Sequence, residues 1–113
     1  MADDGIAYIV RYEGLPAPTD GFVRHYETTH AAILRKFPGL RGLTLMTPAL
    51  WRDSEAVSAG QADFVAMMRF DDAGALSQAL NSAARREARE DFAGFDLEGA
   101  RVTHQAMRLN TVL

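Results

Sequence analysis

No cysteine occurs in this chain, which removes disulfides, thiolate nucleophiles and Cys-ligated zinc or iron–sulfur centres. Basic residues are outnumbered, 12 against 15 acidic, for a net charge of −3. With no basic face, binding to nucleic acid or to an anionic membrane is not expected. No apolar run approaches the roughly 18 residues of a spanning helix. The opening Met-Ala-Asp-Asp-Gly lacks the basic start and apolar stretch of a secretory leader, so a cytoplasmic protein is expected. Internal repeats and low-complexity tails are also missing. What remains is 113 residues, 48% hydrophobic and 24% charged, the makeup of one globular domain spanning 1–113.

Periodicity divides that domain into six elements. Ile6 to Tyr12, rich in β-branched and aromatic residues, predicts a strand. The prolines of Leu15–Gly21 require a loop. Thr19 or Asp20 is then placed to cap a helix reaching about Phe37, where Pro38-Gly39 stops it. Leu40 to Thr47 predicts a second strand. A long connection carrying Trp51, the single tryptophan, leads to a third strand, Asp63 to Phe70, whose nearly unbroken apolar character predicts cover on both faces. Asp71 and Asp72 cap a second helix, with Ala73, Leu76, Leu80, Ala83, Ala84 and Ala88 as its inward stripe. Phe92-Ala-Gly-Phe95 and Gly99 end it, and Ala100 to Val112 predicts a long last strand.

The order β-α-β-β-α-β is the ferredoxin-like α+β pattern, a four-stranded antiparallel sheet with two helices on one face. Both alternating sets of the sheet are apolar: Ala7 and Ile9 as well as Tyr8 and Val10, Val65 and Met67 as well as Phe64, Ala66 and Met68. Water is a poor neighbour for the second set, so the bare face is expected to pack on a second copy, giving a homodimeric α/β barrel.

The segment Phe22-Val-Arg-His25-Tyr26-Glu-Thr-Thr-His30 carries the chemistry. On an α-helix Tyr26 and His30 lie about 40° apart and share one face, with Phe22, Ile33, Leu34 and Phe37 on or beside it. A titratable ring aimed into an apolar layer costs free energy unless it is hydrogen-bonded or does chemistry. His30 is read as a general base with a pKa near neutrality, or else as a core histidine satisfied by a backbone carbonyl or by Tyr26. Tyr26 would orient the imidazole or donate to a substrate oxygen; otherwise it is a core aromatic with its hydroxyl at the edge.

Other candidates carry less. His25, about 140° round the helix from His30, is expected at the rim and unable to share a metal with it. His104 is expected at a dimer interface or sheet edge. Three histidines without a His-x-x-x-His pair argue against zinc, so no metal and no cofactor are expected, with a haem on one histidine left open. Met46, Met67, Met68 and Met107 are adaptable core filler or the lining of a greasy pocket. Trp51 is a lid or, in the preferred reading, a partner contact. Arg85 to Asp91 is a charge run expected to form a solvated face, with Arg86 and Glu90 paired one turn apart.

The run Phe22-x-x-His25-Tyr26-x-x-x-His30-x-x-x-Leu34-x-x-x-Pro38-Gly39-Leu40 resembles the signature of EthD-like proteins of the dimeric α/β barrel superfamily. A second stretch agrees, from Asp63 through Phe70-Asp71-Asp72 into a helix ending near Asp91 and Phe95. The resemblance implies a small dimer with a pocket between sheet and helices, and Tyr26 and His30 as its functional residues. The namesake is linked to degradation of an alkyl ether, while relatives include muconolactone methylisomerases and oxygenases of polyketide anthrones that need neither metal nor flavin. This chain departs from the pattern at Leu43, where many members place an aromatic, at Met67 and Met68, where many place an acid, and in lacking the isomerases' cysteine. A less polar pocket follows.

The expected function is therefore that of a cofactor-independent oxidoreductase or isomerase of aromatic, lactone or polyketide-type molecules. His30 would move a proton beside a carbonyl or phenol, Tyr26 would hold the oxygen, and Phe22, Ile33, Met67, Phe92 and Phe95 would line the pocket. The competing reading is a non-catalytic accessory that binds a hydrophobic intermediate for a partner oxygenase. A third is a bare dimerisation unit, which a completely filled interior would favour.

Overall fold

The computed structural model describes residues 4–113; Met1, Ala2 and Asp3, on which part of the leader reading rests, lie outside the described residues. Strand β1 (Ile6–Glu13) runs between β3 (Ala62–Phe70) and β4 (Arg101–Arg108), antiparallel to both, and β2 (Gly42–Met46) pairs antiparallel with the far side of β3. The sheet order is β2-β3-β1-β4, and with both helical layers on one face this is the expected ferredoxin-like fold. Between β1 and β2 lie α1 (Asp20–His25), a π-helical segment (Tyr26–His30) and α2 (Ala31–Leu34), consecutive parts of one helix. Between β3 and β4 lie α3 (Ala73–Leu80) and α4 (Ala83–Ala93).

Register decides which side chains meet. Tyr8 stands opposite Met68 and Val10 opposite Ala66, while Tyr12 faces Phe64, and these pairs form the layer beneath the helices. Tyr12, Tyr26, Phe64 and Phe70 are the largest fully buried side chains, each worth roughly 1.5–3 kcal/mol of apolar transfer. The opposite face carries Ile9, Val65 and Met67, with Met46 and Met107 41% and 45% exposed. Cover on both faces of β3 is therefore not supplied by the single chain. No helix of the described residues is long and apolar enough to cross a membrane.

Several details differ from the sequence pattern: the first helix ends at Leu34, short of Phe37, and β2 spans Gly42–Met46 within the predicted Leu40–Thr47. Thr19 does occupy the first N-cap, but its side chain makes no capping bond; the turn closes through the Val23 N–H donating to the Thr19 carbonyl at 3.0 Å. Asp72 alone caps α3, accepting from the Ala75 N–H at 2.8 Å, while Asp71 pairs with Arg41. The second helix is two helices, because Ser82 turns extended and accepts from the Arg85 N–H, starting α4 afresh. Of the predicted stripe Leu76 and Ala88 are buried, joined by Ala79 from outside it, and Ala73 and Ala83 are exposed. β4 ends at Arg108, level with Ile6, where its partner strand begins; the Leu109 N–H still reaches the Gly5 carbonyl at 2.8 Å.

Gly5 itself adopts a φ of +99°, and a Cβ there would lie 2.4 Å from the Phe70 carbonyl oxygen. Gly5→Ala is expected to cost about 1–3 kcal/mol, read as a lower urea midpoint at unchanged slope.

Candidate active site

The helix that carries the candidate residues widens at the point where they lie. The Ala31 N–H donates to the Tyr26 carbonyl, five residues back, and the Thr28 hydroxyl donates to the Arg24 carbonyl at 2.8 Å, a back-bond of the kind that loosens and bends helices. A turn closed over five residues brings His25 and His30 nearly to one side, against the 140° of a regular helix. Tyr26 and His30 still share the inward face, with ring centroids 4.6 Å apart.

Both histidines converge on Asp91 of α4. His30 Nδ1 lies 2.8 Å from Oδ2, and His25 Nε2 lies 3.0 and 3.1 Å from the two oxygens. An ionised carboxylate only accepts, so both imidazoles donate to it, and a neutral imidazole keeps its other nitrogen as a lone-pair acceptor. The group was missed in the sequence, where Asp91 closed a charge run assigned to solvent. A signal existed: Asp91 follows Ala88 by three residues and Ala84 by seven, on the apolar stripe rather than opposite it. The rest of the run also differs. Arg86 and Glu90 do not pair; Glu87 instead meets Lys36 at 3.1 Å, and Arg89 lies over the Phe92 ring, 4.6 Å from its centroid.

Electrostatics separate the titratable groups. His30 is 5% exposed, and burial pulls its pKa below the ordinary histidine value in spite of the Asp91 hydrogen bond. Burial would raise the Asp91 carboxyl, yet the hydrogen bonds from His30 and His25 outweigh it and hold the group below the usual range. Burial pushes Tyr12 up to about 12 and drives Tyr26 higher still, with the neighbouring Tyr12 hydroxyl adding to the shift. His104 is lowered by burial and by the cations of Arg85 and Arg89.

Beside His30 is a cavity of about 40 Å³ between the sheet residues Tyr8, Tyr12 and Met68 and the helical residues Tyr26, Ala88 and Phe92, with Arg85, Arg89 and His104 at its edge. That is room for roughly three waters, so the interior is neither filled nor wide. Of the five predicted lining residues, Phe92 takes that place. Met67 does not, because a strand alternates faces and Met68 is the one turned to the helices. Ile33 is buried in the core cluster away from the cavity wall. Phe22 and Phe95 line a different hollow, on the His25 side. His104 lies on the edge strand as expected, but its ring faces the cavity, 5.9 Å from that of Tyr8. Trp51 is exposed and forms no part of the wall, so it is not a lid here.

The family model for the EthD domain matches residues 16–96, the span that holds His25, Tyr26, His30 and Asp91. The chain belongs to the EthD domain family. Solved structures similar to this EthD protein include an ethyl tert-butyl ether D family protein from Bacillus halodurans C-125, 24% identical over 89% of this chain and 96% of that one, with a TM-score of 0.69. SnoaB from Streptomyces nogalater, a cofactor-independent oxygenase, is 17% identical over 97% of each chain at a TM-score of 0.63. A dimeric ferredoxin-like protein from Thermobifida fusca is 17% identical over 91% of each at 0.62. At these identities the likeness establishes the fold. No curated protein matches the sequence.

A histidine whose folded pKa lies below its unfolded value leaves the extra proton to the unfolded chain. His30 therefore withdraws stability as pH falls below about 6.5, and His104 acts in the same sense. Urea unfolding at pH 7 and 5 is expected to show a smaller loss for His30→Gln than for the parent. Removing the carboxylate by Asp91→Asn is expected to move the His30 titration, followed by NMR, further down.

Proposed function

We propose that this EthD protein is a cofactor-independent oxidoreductase or isomerase of aromatic, lactone or polyketide-type molecules, with His30 as its base. The observation that carries the reading is the 2.8 Å contact between His30 Nδ1 and Asp91 behind a buried ring that borders a cavity. The carboxylate fixes the tautomer, leaving Nε2 as the basic nitrogen, and it stabilises the imidazolium that forms when a proton is taken up. A depressed pKa keeps that nitrogen unprotonated at pH 7. Tyr26, held neutral, donates to the oxygen on which negative charge gathers. Proton removal beside a carbonyl, or from a phenol, yields an enolate or phenolate. Isomerisation returns the proton to another carbon, whereas oxygenation delivers the electron-rich anion to dioxygen. SnoaB supports the second route as a cofactor-independent oxygenase of the same fold. A carrier needs no paired base, so the His30–Asp91 contact favours the catalytic reading over the accessory one.

The working unit in this proposal is a homodimer, formed by the sheet face that carries Ile9, Met46, Val65, Met67 and Met107. The half-exposed methionines and the dimeric Thermobifida fusca protein support it. Met67→Lys, which leaves the helix-covered layer untouched, is expected to convert the dimer to monomer in sedimentation velocity.

Catalysis is tested without knowing the substrate by following exchange of the protons beside the carbonyl of a butenolide or a tetralone into deuterated water. His30→Gln is expected to slow the enzyme-dependent exchange by about 10²–10⁴-fold and Tyr26→Phe by less. Undiminished exchange in His30→Gln would remove the assignment.

A further inference from the structure

A second hollow, larger than the one beside His30, opens on the His25 side of Asp91. It measures about 270 Å³ and lies between the loop of Pro16 and Pro18 and the turn of Gly94, Phe95 and Asp96, with Gly21, Phe22 and His25 between them. Its walls are fixed. Asp63 accepts from the Gly14 and Leu15 N–H groups at 2.7 and 2.9 Å, which ties down the start of the proline loop. Phe22 and Phe95 meet edge to face at 5.3 Å, and Phe95 meets the His25 ring at 5.7 Å in the same manner.

Two glycines border the hollow without any backbone need for glycine. Gly94 has φ −89° and ψ 0°, and Gly21 starts a helix with a φ outside the left-handed region and nothing within 4 Å of a would-be Cβ. What their lack of a side chain preserves is space. The polar content is equally defined. His25 gives its Nε2–H to Asp91, so in the neutral ring Nδ1 is the acceptor, on a half-exposed side chain that lines the cleft. Asp96 adds a carboxylate, and together with Asp91 it makes the cleft hostile to anions.

We propose that this cleft is a binding site for a compact, uncharged aromatic alcohol, its ring held between the prolines and Phe22–Phe95 and its hydroxyl donating to His25 Nδ1. A volume near 270 Å³ approaches the lower end of small-molecule pockets, and apolar walls with a few placed polar groups are the usual makeup of such sites. The site lies outside the His30 cavity and does not depend on the base assigned there.

The test is an NMR titration of the histidine-labelled full chain with 2-naphthol and, separately, with 2-naphthoate. Saturable shifts at the His25 ring and at the Gly21 and Gly94 amides are expected with 2-naphthol, and binding at least about tenfold weaker with the carboxylate. Gly21→Phe fills the cleft and is expected to abolish the 2-naphthol shifts, while the His30 and His104 resonances stay in place. Should that variant not fold, His25→Leu, which removes the acceptor, is expected to weaken 2-naphthol binding, and Asp96→Asn to narrow the gap between the two probes. Shifts confined to His30 and His104, equal affinity for the two probes, or binding that survives both Gly21→Phe and His25→Leu would overturn the site. Exchange activity lost in His30→Gln with unchanged 2-naphthol binding would separate this site from the catalytic one.

Discussion

The Asp91 carboxylate accepts from His30 and His25, and it fixes how the first helix lies against α4. Hydrogen bonds to a charged group contribute roughly 1.5–3 kcal/mol each, less for the half-exposed His25, and they offset the desolvation of an acid that is 17% exposed. Small residues make the reach short enough. Ala31 and Ala88 are buried at 2% and 4% exposure on the two facing helices, and larger side chains there would push the carboxylate away. Phe92 and Phe95 follow Asp91 at once, so the same anchor places the wall of the small cavity and a wall of the larger cleft.

The fold was legible because its signals are local and redundant. Strand alternation, Pro38-Gly39 and the Asp72 cap each mark an element by themselves, and their order leaves few topologies. What escaped depends on neighbours. Ser82 breaks the second helix by accepting from the Arg85 N–H, a choice the alanine periodicity around it conceals. β4 stops where β1 has no more residues to offer, although Leu109 to Val112 continues in strand-like composition. An alternation also fails to say which of its two sets faces the helices, which is why Met67 stood in the place of Met68.

The site was half legible. A buried imidazole next to a phenol follows from the spacing of Tyr26 and His30, but the assumption of 3.6 residues per turn hid the partnership of His25 and His30. The wide turn is written weakly, in the Thr28 hydroxyl that competes for the Arg24 carbonyl. Asp91 was hidden by its company, since a carboxylate among five other charged residues between Arg85 and Glu90 reads as surface. Only its phase with Ala84 and Ala88 distinguishes it.

For the proton transfer proposed above, the groups around the small cavity leave one choice of base. Tyr12 and Tyr26 are pushed so far up by burial that neither gives up its proton near neutrality, and the Tyr26 hydroxyl donates to that of Tyr12. Asp91 is ionised, but its oxygens are taken by two imidazoles, so a proton on it would break the contacts that hold it. Arg85 and Arg89 are permanent cations. His104 is kept neutral by burial and by those cations, but it sits at the edge beside them without a carboxylate to stabilise an imidazolium. His30 alone combines a vacant basic nitrogen, an anion to balance the charge it acquires and a phenol donor alongside. Environments that push the pKa values of neighbouring groups apart are how acid and base roles are separated. Here the separation is made by hydrocarbon, two phenols and a single shared carboxylate, which is what the proposed assignment to His30 rests on.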